Sequence, residues 1–192
     1  MSEILRRFTR RKPEWRPRVT PVAPEEATEA QREAMQVTPS GTGATPYVLT
    51  LAHDPEALRV RSPLFNAIMY DPGGLSRAER ELGAIAASIV NRCIYCAAIH
   101  AERHARLAGE TDTTDRLFAD GPEAALPPRE RAILDYATAL SRTPPEAGPE
   151  HVARLRGVGL TDEEVLDLTL STALFGWANR LMHVLGDPVR AS

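Results

Sequence analysis

Hydrophobic residues recur every three to four positions along most of the chain after residue 45, which is the spacing of helices with one buried face. The most apolar stretch, Glu-Leu-Gly-Ala-Ile-Ala-Ala-Ser-Ile-Val at 81–90, is too hydrophobic for a surface helix and is predicted to be buried on most sides. No alternating pattern of the kind that predicts β-strands competes with these periods. The predicted fold is therefore all-α, a multi-helix bundle.

Turn and capping residues predict where these helices begin and end. The run Asp71-Pro72-Gly73-Gly74 predicts a turn, and the spacings from Ser76 to Glu79 and from Thr161 to Glu164 are those of capping boxes that start helices. The predicted helical segments begin at 46 with an interruption at 54–55, and continue over 56–69, 80–90, 93–108, 111–119, 129–141, 150–156 and 162–185.

The first 45 residues differ from the rest of the chain. They are rich in proline and glycine and predict an irregular arm with one short helix, around Glu25 to Met35. Residues 46–192 are predicted to form one all-helical domain. Residues 1–18 carry seven Arg and Lys side chains against two Glu, a net charge of +5 in a chain whose total is -3. We expect this basic arm to lie on the acidic surface of a neighbouring subunit or to be a solvated tail, rather than to bind nucleic acid.

Composition sets limits on the compartment and the partners. The 192 residues are 43% hydrophobic and 26% charged, as in ordinary globular domains, and no apolar stretch approaches the roughly 20 residues of a membrane span. The basic start lacks the apolar core of a secretory signal. We therefore expect a cytoplasmic protein with neither a membrane nor a nucleic-acid partner.

The two cysteines of the chain, Cys93 and Cys96, are three residues apart, and His100 follows one helical turn later. These three positions fall on one face of a helix. Cys93 is predicted to lie in the first turn, where unpaired N–H groups and the helix dipole favour a thiolate, and His100 is predicted to reach Cys96. An activated thiol, a second thiol and a nearby base are the groups that peroxide reduction needs.

Other interpretations of these residues remain open. The two cysteines could be inert apolar side chains of a buried helix. Zinc could bind Cys93, Cys96, His100 and His104, but four ligands on one face of one helix cannot readily surround a tetrahedral ion, so we expect no metal and no cofactor. His104 is then a surface residue or a support for the site. Glu81 could be solvated at its helix start, or be drawn inward to orient the His100 imidazole.

The spacing of Glu81, Cys93, Cys96 and His100 resembles the signature of the alkylhydroperoxidase D and carboxymuconolactone decarboxylase superfamily. The resemblance covers roughly residues 45 to 187 and leaves the basic arm outside it. Flanking segments are similar to its longer, uncharacterised peroxidase-related branch: Thr45-Pro-Tyr-Val, Leu51-Ala-His-Asp-Pro, Glu79-Arg80-Glu81-Leu82 and Ala178-Asn179-Arg180-Leu181.

The resemblance implies an all-helical fold assembled as trimers or hexamers, and a hydroperoxide substrate reduced at the expense of a dithiol protein or a small thiol. It implies that Cys96 is the peroxidatic thiol, Cys93 the resolving thiol, and His100 with Glu81 a proton relay. The helix-start argument favours Cys93 as the nucleophile instead. Tyr95 stands where the characterised peroxidase has a second histidine, so the relay and the reductant are expected to differ here.

The predicted function is therefore thiol-dependent reduction of hydroperoxides. The alternatives are a dithiol carrier or redox sensor without peroxidase turnover, a lyase similar to carboxymuconolactone decarboxylase, and a helical oligomeric protein without catalysis. The decarboxylase branch lacks the cysteine pair, which argues against the lyase. The apolar runs at 82–90 and 165–178 exceed what a chain of this size buries by itself, which predicts a homo-oligomer.

Overall fold

The computed structural model describes residues 3–37 and 43–191, so that the parts of the predicted arm at 1–2 and 38–42, and residue 192 of the predicted domain, lie outside it. Within these ranges the chain forms nine α-helices and one small antiparallel sheet, which confirms the prediction of an all-α fold. The strands are β1 (Glu14–Pro17) and β2 (Gly186–Val189). The helices are α1 (Glu29–Gln36), α2 (Pro46–Leu51), α3 (Pro55–Tyr70), α4 (Arg77–Val90), α5 (Ile94–Ala108), α6 (Asp112–Asp120), α7 (Pro128–Ser141), α8 (Pro149–Gly157) and α9 (Asp162–Leu185).

The predicted helix boundaries after residue 45 are confirmed to within a few residues. Thr161 and Glu164 form the complete capping box predicted for the start of α9. At the start of α4, Ser76 Oγ accepts from the Glu79 N–H at 3.3 Å, but its hydroxyl also meets the Glu79 carboxylate at 2.6 Å, so that only half of the predicted box forms. None of the described helices combines the length and the apolar character that crossing a membrane requires.

Helix α4 lies at the centre of the fold and packs against α5, α7 and α9. Every residue from Arg80 to Ser88 is buried, as the apolar run predicts. Gly83 permits the close approach of α9, because a Cβ at this position would lie 2.7 Å from Thr172 Oγ1. A helix enclosed in this way is a rigid support for the side chain of Glu81, which is buried near its start.

Arg80 fixes the start of α4 relative to α9. Its guanidinium donates to three backbone carbonyls of the 68–73 segment at 2.6 to 3.2 Å, and pairs with Asp167 of α9 at 3.0 Å. The same carboxylate accepts from the Leu75 N–H at 2.9 Å. Because these are charge-assisted bonds made largely away from water, they hold the turn before α4 in place.

The N-terminal arm is more ordered than the sequence predicts. Residues Glu14–Pro17 pair with Gly186–Val189, with Trp15 opposite Pro188, so the expectation of an irregular arm is wrong for this segment. The predicted helix around 25–35 forms as a short 3-10 turn at Pro24–Glu26 followed by α1. Strand β1 has only four residues, one of which is a proline. The sequence therefore contains too few alternating positions to indicate a strand here.

The basic side chains of the arm find acidic partners within the same chain. Arg16 lies 3.5 Å from the Asp187 carboxylate, Arg18 pairs with the same group, and Arg10 pairs with Asp115. The arm therefore packs on the helices of its own chain. The charge pattern had suggested either the surface of a neighbouring subunit or a solvated tail.

Candidate active site

Cys93 and Cys96 lie where α4 passes into α5. Arg92, with a φ of 56°, turns the chain between the helices, and Cys93 is the N-cap residue of α5. The Cys93 N–H donates to the Ser88 carbonyl at 2.8 Å, which ties this turn back to α4. Both thiols are free and buried. The predicted helix start is confirmed, with Cys93 as the cap and Cys96 in the first turn.

The two thiols differ in acidity because they are hydrogen-bonded to each other. The bond from Cys96 lowers the pKa of Cys93, although burial opposes this shift. The same bond, reinforced by burial, raises the pKa of Cys96 well above its usual value. The Asn179 side chain of α9 lies next to both sulfur atoms. Of the two thiols, Cys93 is therefore the one that ionises more readily, at the positive end of α5.

His100 and Glu81 form a second buried pair. Nδ1 of His100 is hydrogen-bonded to Glu81 Oε2, and Arg77 donates from Nε to Glu81 Oε1 at 3.0 Å. Burial lowers the pKa of His100 and outweighs the opposing carboxylate. Burial also opposes ionisation of Glu81, but His100 and Arg77 together hold the pKa of this carboxyl below its usual value.

These pKa directions describe a neutral imidazole beside an ionised carboxylate. Because Glu81 accepts at Nδ1 of His100, that nitrogen carries the proton and Nε2 is left as the basic nitrogen. Glu81 has no solvent exposure, in agreement with the interpretation that it is drawn inward to orient the imidazole.

A cavity of about 120 Å³ opens beside Cys96 and His100. Its walls are mainly aromatic and apolar, and the Phe175 ring meets the His100 ring edge-on with centroids 4.1 Å apart. Tyr95, the residue between the cysteines, also lines the cavity, and burial raises the pKa of its hydroxyl. Cys96 is therefore the thiol that a small molecule in this cavity would meet.

Cys93 faces away from the cavity, towards the N-terminal arm. It packs against Trp15 and Met182, and the space beside it is only about 20 Å³. Trp15 is itself held in place, since its Nε1 donates to the Met182 carbonyl at 3.4 Å and its ring meets the Tyr47 ring edge-on at 5.6 Å. Strand β1 thus covers one of the two thiols.

His104 is buried one turn beyond His100 and does not line the cavity. Burial lowers its pKa, and its Nδ1 has no hydrogen-bond partner within the described part of the chain. The interpretation of His104 as a surface residue is therefore wrong. Over residues 3–37 and 43–191, no three or more His, Cys, Asp or Glu side chains are grouped as metal ligands.

Several residues of the site were not identified as site residues from the sequence, because they come from other helices. Asn179 of α9 contacts the thiols, and Phe175 contacts His100. Tyr47 of α2 and Arg61 of α3 line the cavity. For Asn179 the sequence did offer a signal. It is a polar amide directly after the apolar run of α9, at a position that helical spacing places towards the core.

Known proteins resemble this chain both in sequence and in fold. Residues 55–114 match the sequence profile of the Carboxymuconolactone decarboxylase family. Among curated proteins, none has significant sequence similarity to the chain.

The solved structures extend the match to most of the chain. An uncharacterised peroxidase-related protein from Ralstonia eutropha JMP134, described as an alkylhydroperoxidase AhpD core, is 30% identical over 90% of both chains with a TM-score of 0.73. An uncharacterised peroxidase-related protein from Silicibacter sp. TM1040 is 28% identical over 71% of this chain and 72% of its own, with a TM-score of 0.64. The debrominase Bmp8 shares the fold, with 21% identity over 91% of this chain and 92% of its own and a TM-score of 0.71. The chain therefore belongs to the superfamily of carboxymuconolactone decarboxylases and alkylhydroperoxidase D-like proteins, as the spacing of its Glu, Cys, Cys and His residues predicted.

Proposed function

We propose that this protein is a thiol-dependent peroxidase that reduces small hydroperoxides and forms a Cys93–Cys96 disulfide in each cycle. The observation that carries the proposal is a pair of buried free thiols three residues apart, one of which shares a cavity with a histidine oriented by a buried carboxylate. The peroxidase-related relatives support the same reaction class.

In the first step, the Cys96 sulfur attacks the terminal oxygen of the hydroperoxide. The O–O bond breaks, the sulfur is oxidised by two electrons to a sulfenic acid, and the alkoxide leaves. His100 accepts the thiol proton at Nε2 and returns it to the alkoxide, which departs as an alcohol. This assignment suits the raised pKa of Cys96, since a thiol that is protonated at rest needs a base beside it.

In the second step, the Cys93 thiolate attacks the sulfenic sulfur of Cys96. The S–O bond breaks, the disulfide forms, and the hydroxide takes a proton from solvent and leaves as water. The lowered pKa of Cys93 supports its role here, because it makes the attacking thiolate easier to form. A dithiol reductant then returns two electrons and two protons to the pair.

The test follows loss of an organic hydroperoxide such as tert-butyl hydroperoxide in the presence of dithiothreitol. We expect turnover well above the rate of dithiothreitol alone, complete loss of turnover in Cys96→Ser, and stalling after one equivalent in Cys93→Ser. Oxidation of the pair without turnover would leave a dithiol carrier or sensor as the function. Activity unaffected by either substitution would exclude the cysteine mechanism.

The same variants distinguish the roles of the two cysteines. With a sulfenic-acid reagent such as dimedone, we expect labelling at Cys96 in the Cys93→Ser protein. Labelling at Cys93 in the Cys96→Ser protein instead would reverse the assignment, in line with the lower pKa of Cys93. Circular dichroism of both variants serves as the control for folding.

A further inference from the structure

Arg61 of α3 lines the cavity, and no carboxylate of the described residues pairs with it. Its Nε and Nη1 atoms are shielded from solvent and have no hydrogen-bond partner within the described residues. The ionisable groups that interact electrostatically with this guanidinium are the hydroxyls of Tyr47 and Tyr70, and neither is a carboxylate. Burial raises the pKa of Tyr47 far above its usual value, so that this hydroxyl stays protonated. Residues 38–42, outside the described ranges, read Thr-Pro-Ser-Gly-Thr and contain no carboxylate.

Holding a charged guanidinium away from water costs free energy unless an anion or another favourable contact compensates for the lost hydration. The Phe65 ring supplies part of the compensation, since the guanidinium carbon lies 4.5 Å from its centroid. Arg80 on the neighbouring α4 illustrates the usual arrangement, with a carboxylate at 3.0 Å. The guanidinium of Arg61 therefore lacks a compensating anion, and it lines the same cavity as Cys96 and His100.

A basic groove of about 400 Å³ lies next to the cavity and shares residues Thr45, Tyr95, Ile99 and Arg103 with it. Four of its lining residues are basic, one of which, Arg77, is paired with Glu81, and only Glu102 among the lining residues is acidic, although the whole chain has a net charge of -3. A local excess of positive charge on an acidic protein concentrates small anions at that place. The basic residues are Lys12, Arg77, Arg103 and Arg106.

We propose that the cavity binds a substrate that carries a carboxylate, with the carboxylate on Arg61 and the apolar part of the substrate against Phe65 and Phe175. The planar guanidinium matches a carboxylate in geometry, and one guanidinium beside the neutral Tyr47 hydroxyl matches a single negative charge. The hydroxyl of Tyr47 is also buried without a partner among the described residues, so that it can act as a second donor. This inference rests on the proposed function and names its substrate class, a small organic hydroperoxide with a carboxylate group.

Binding can be measured without turnover by titrating the reduced, full-length protein with benzoate and with the neutral isostere benzamide, using calorimetry. We expect the protein to bind benzoate about tenfold or more tightly than benzamide, as charge-assisted hydrogen bonds would give. Arg61→Gln is expected to abolish this preference and Arg61→Lys to retain part of it. Arg59→Gln, an exposed arginine two residues away on α3, is the matched control and is expected to retain all of it.

Equal affinity for benzoate and benzamide, or no binding of either at millimolar concentration, would overturn the inference without any variant being needed. An unchanged preference in a folded Arg61→Gln protein would also overturn it. Failure of the peroxidase assay with intact, Arg61-dependent benzoate binding would refute the peroxidase function and leave the carboxylate site. Turnover of neutral hydroperoxides without a benzoate preference would support the peroxidase function and refute the carboxylate site.

Discussion

Two buried residues, Glu81 and His100, set the proton chemistry of the site, because each affects the pKa of the other. Burial lowers the pKa of His100, and the ionised Glu81 beside it raises that pKa. Glu81→Gln keeps an acceptor for Nδ1 but removes the charge, so burial acts unopposed and the pKa of His100 falls further. A less basic imidazole accepts the thiol proton less readily, and we expect turnover at neutral pH to fall roughly 10²-fold.

The pH profile separates this effect from a loss of structure. Because the neutral imidazole is the active form, activity rises with pH through the pKa of His100, and the acid limb of kcat/KM in Glu81→Gln is expected at lower pH than in the wild type. His100→Ala is expected to lose the limb altogether. Glu163→Gln, an exposed carboxylate at the start of α9, is the control. An acid limb that does not move in Glu81→Gln would contradict a role for Glu81 through His100.

The limits of sequence-based prediction at this scale follow from how far apart the partners lie in the chain. Cys96 and His100 lie on one face of α5, so helical periodicity alone places them together, whereas Cys93 caps the helix and faces the arm. The buried contact of Glu81 with His100 was one of two interpretations, and the packing of α4 against α5 decided it. Arg61 comes from α3, and no local pattern indicates that its charge faces into a cavity formed by three other helices.

Helices were predictable here and strands were not, for a physical reason. Each helix satisfies its backbone locally and repeats its apolar positions several times, whereas β1 pairs with a segment about 170 residues away through four residues. Strand β1 brings Trp15 over Cys93, so that the arm contributes to the site as well as to the charge pattern. The arm is thus part of the folded domain around the thiols.

Trp15→Ala tests the contribution of this strand. Trp15 is only 7% exposed, and truncation of a buried tryptophan commonly lowers the free energy of unfolding by about 3 to 5 kcal/mol. Removal of the ring also uncovers Cys93, and we expect its alkylation by iodoacetamide to become several-fold faster. Mass spectrometry of the alkylated peptide and thermal unfolding measure the two effects. Trp177→Ala is the matched control because this tryptophan is 44% exposed; equal alkylation in both variants would show that β1 does not shield Cys93.

The whole molecule retains a long apolar stripe on its surface after all nine helices of the described ranges have packed. Leu166, Leu170, Trp177 and Val184 are exposed at spacings of four, seven and seven residues, which places them on one face of α9. Val60 and Leu64 form a similar exposed pair on α3, and α3 packs against α9. Soluble monomers rarely expose such contiguous apolar surface, and association of identical copies is the usual way of covering it.

We therefore expect the wild-type protein to be a homo-oligomer held by α9 and α3, and Trp177→Glu to shift it towards the 21.0 kDa monomer. A carboxylate placed in an apolar interface loses its hydration without gaining a partner. Light scattering coupled to size exclusion measures the mass, and Val19→Glu, an exposed apolar position in the arm, is the control. Because Arg10, Arg16 and Arg18 pair within their own chain, we expect the wild-type mass to be insensitive to salt. A monomeric wild type would contradict the apolar interface. An oligomer that dissociates with salt but not in Trp177→Glu would show that the basic arm, and not the apolar face of α9, holds the copies together.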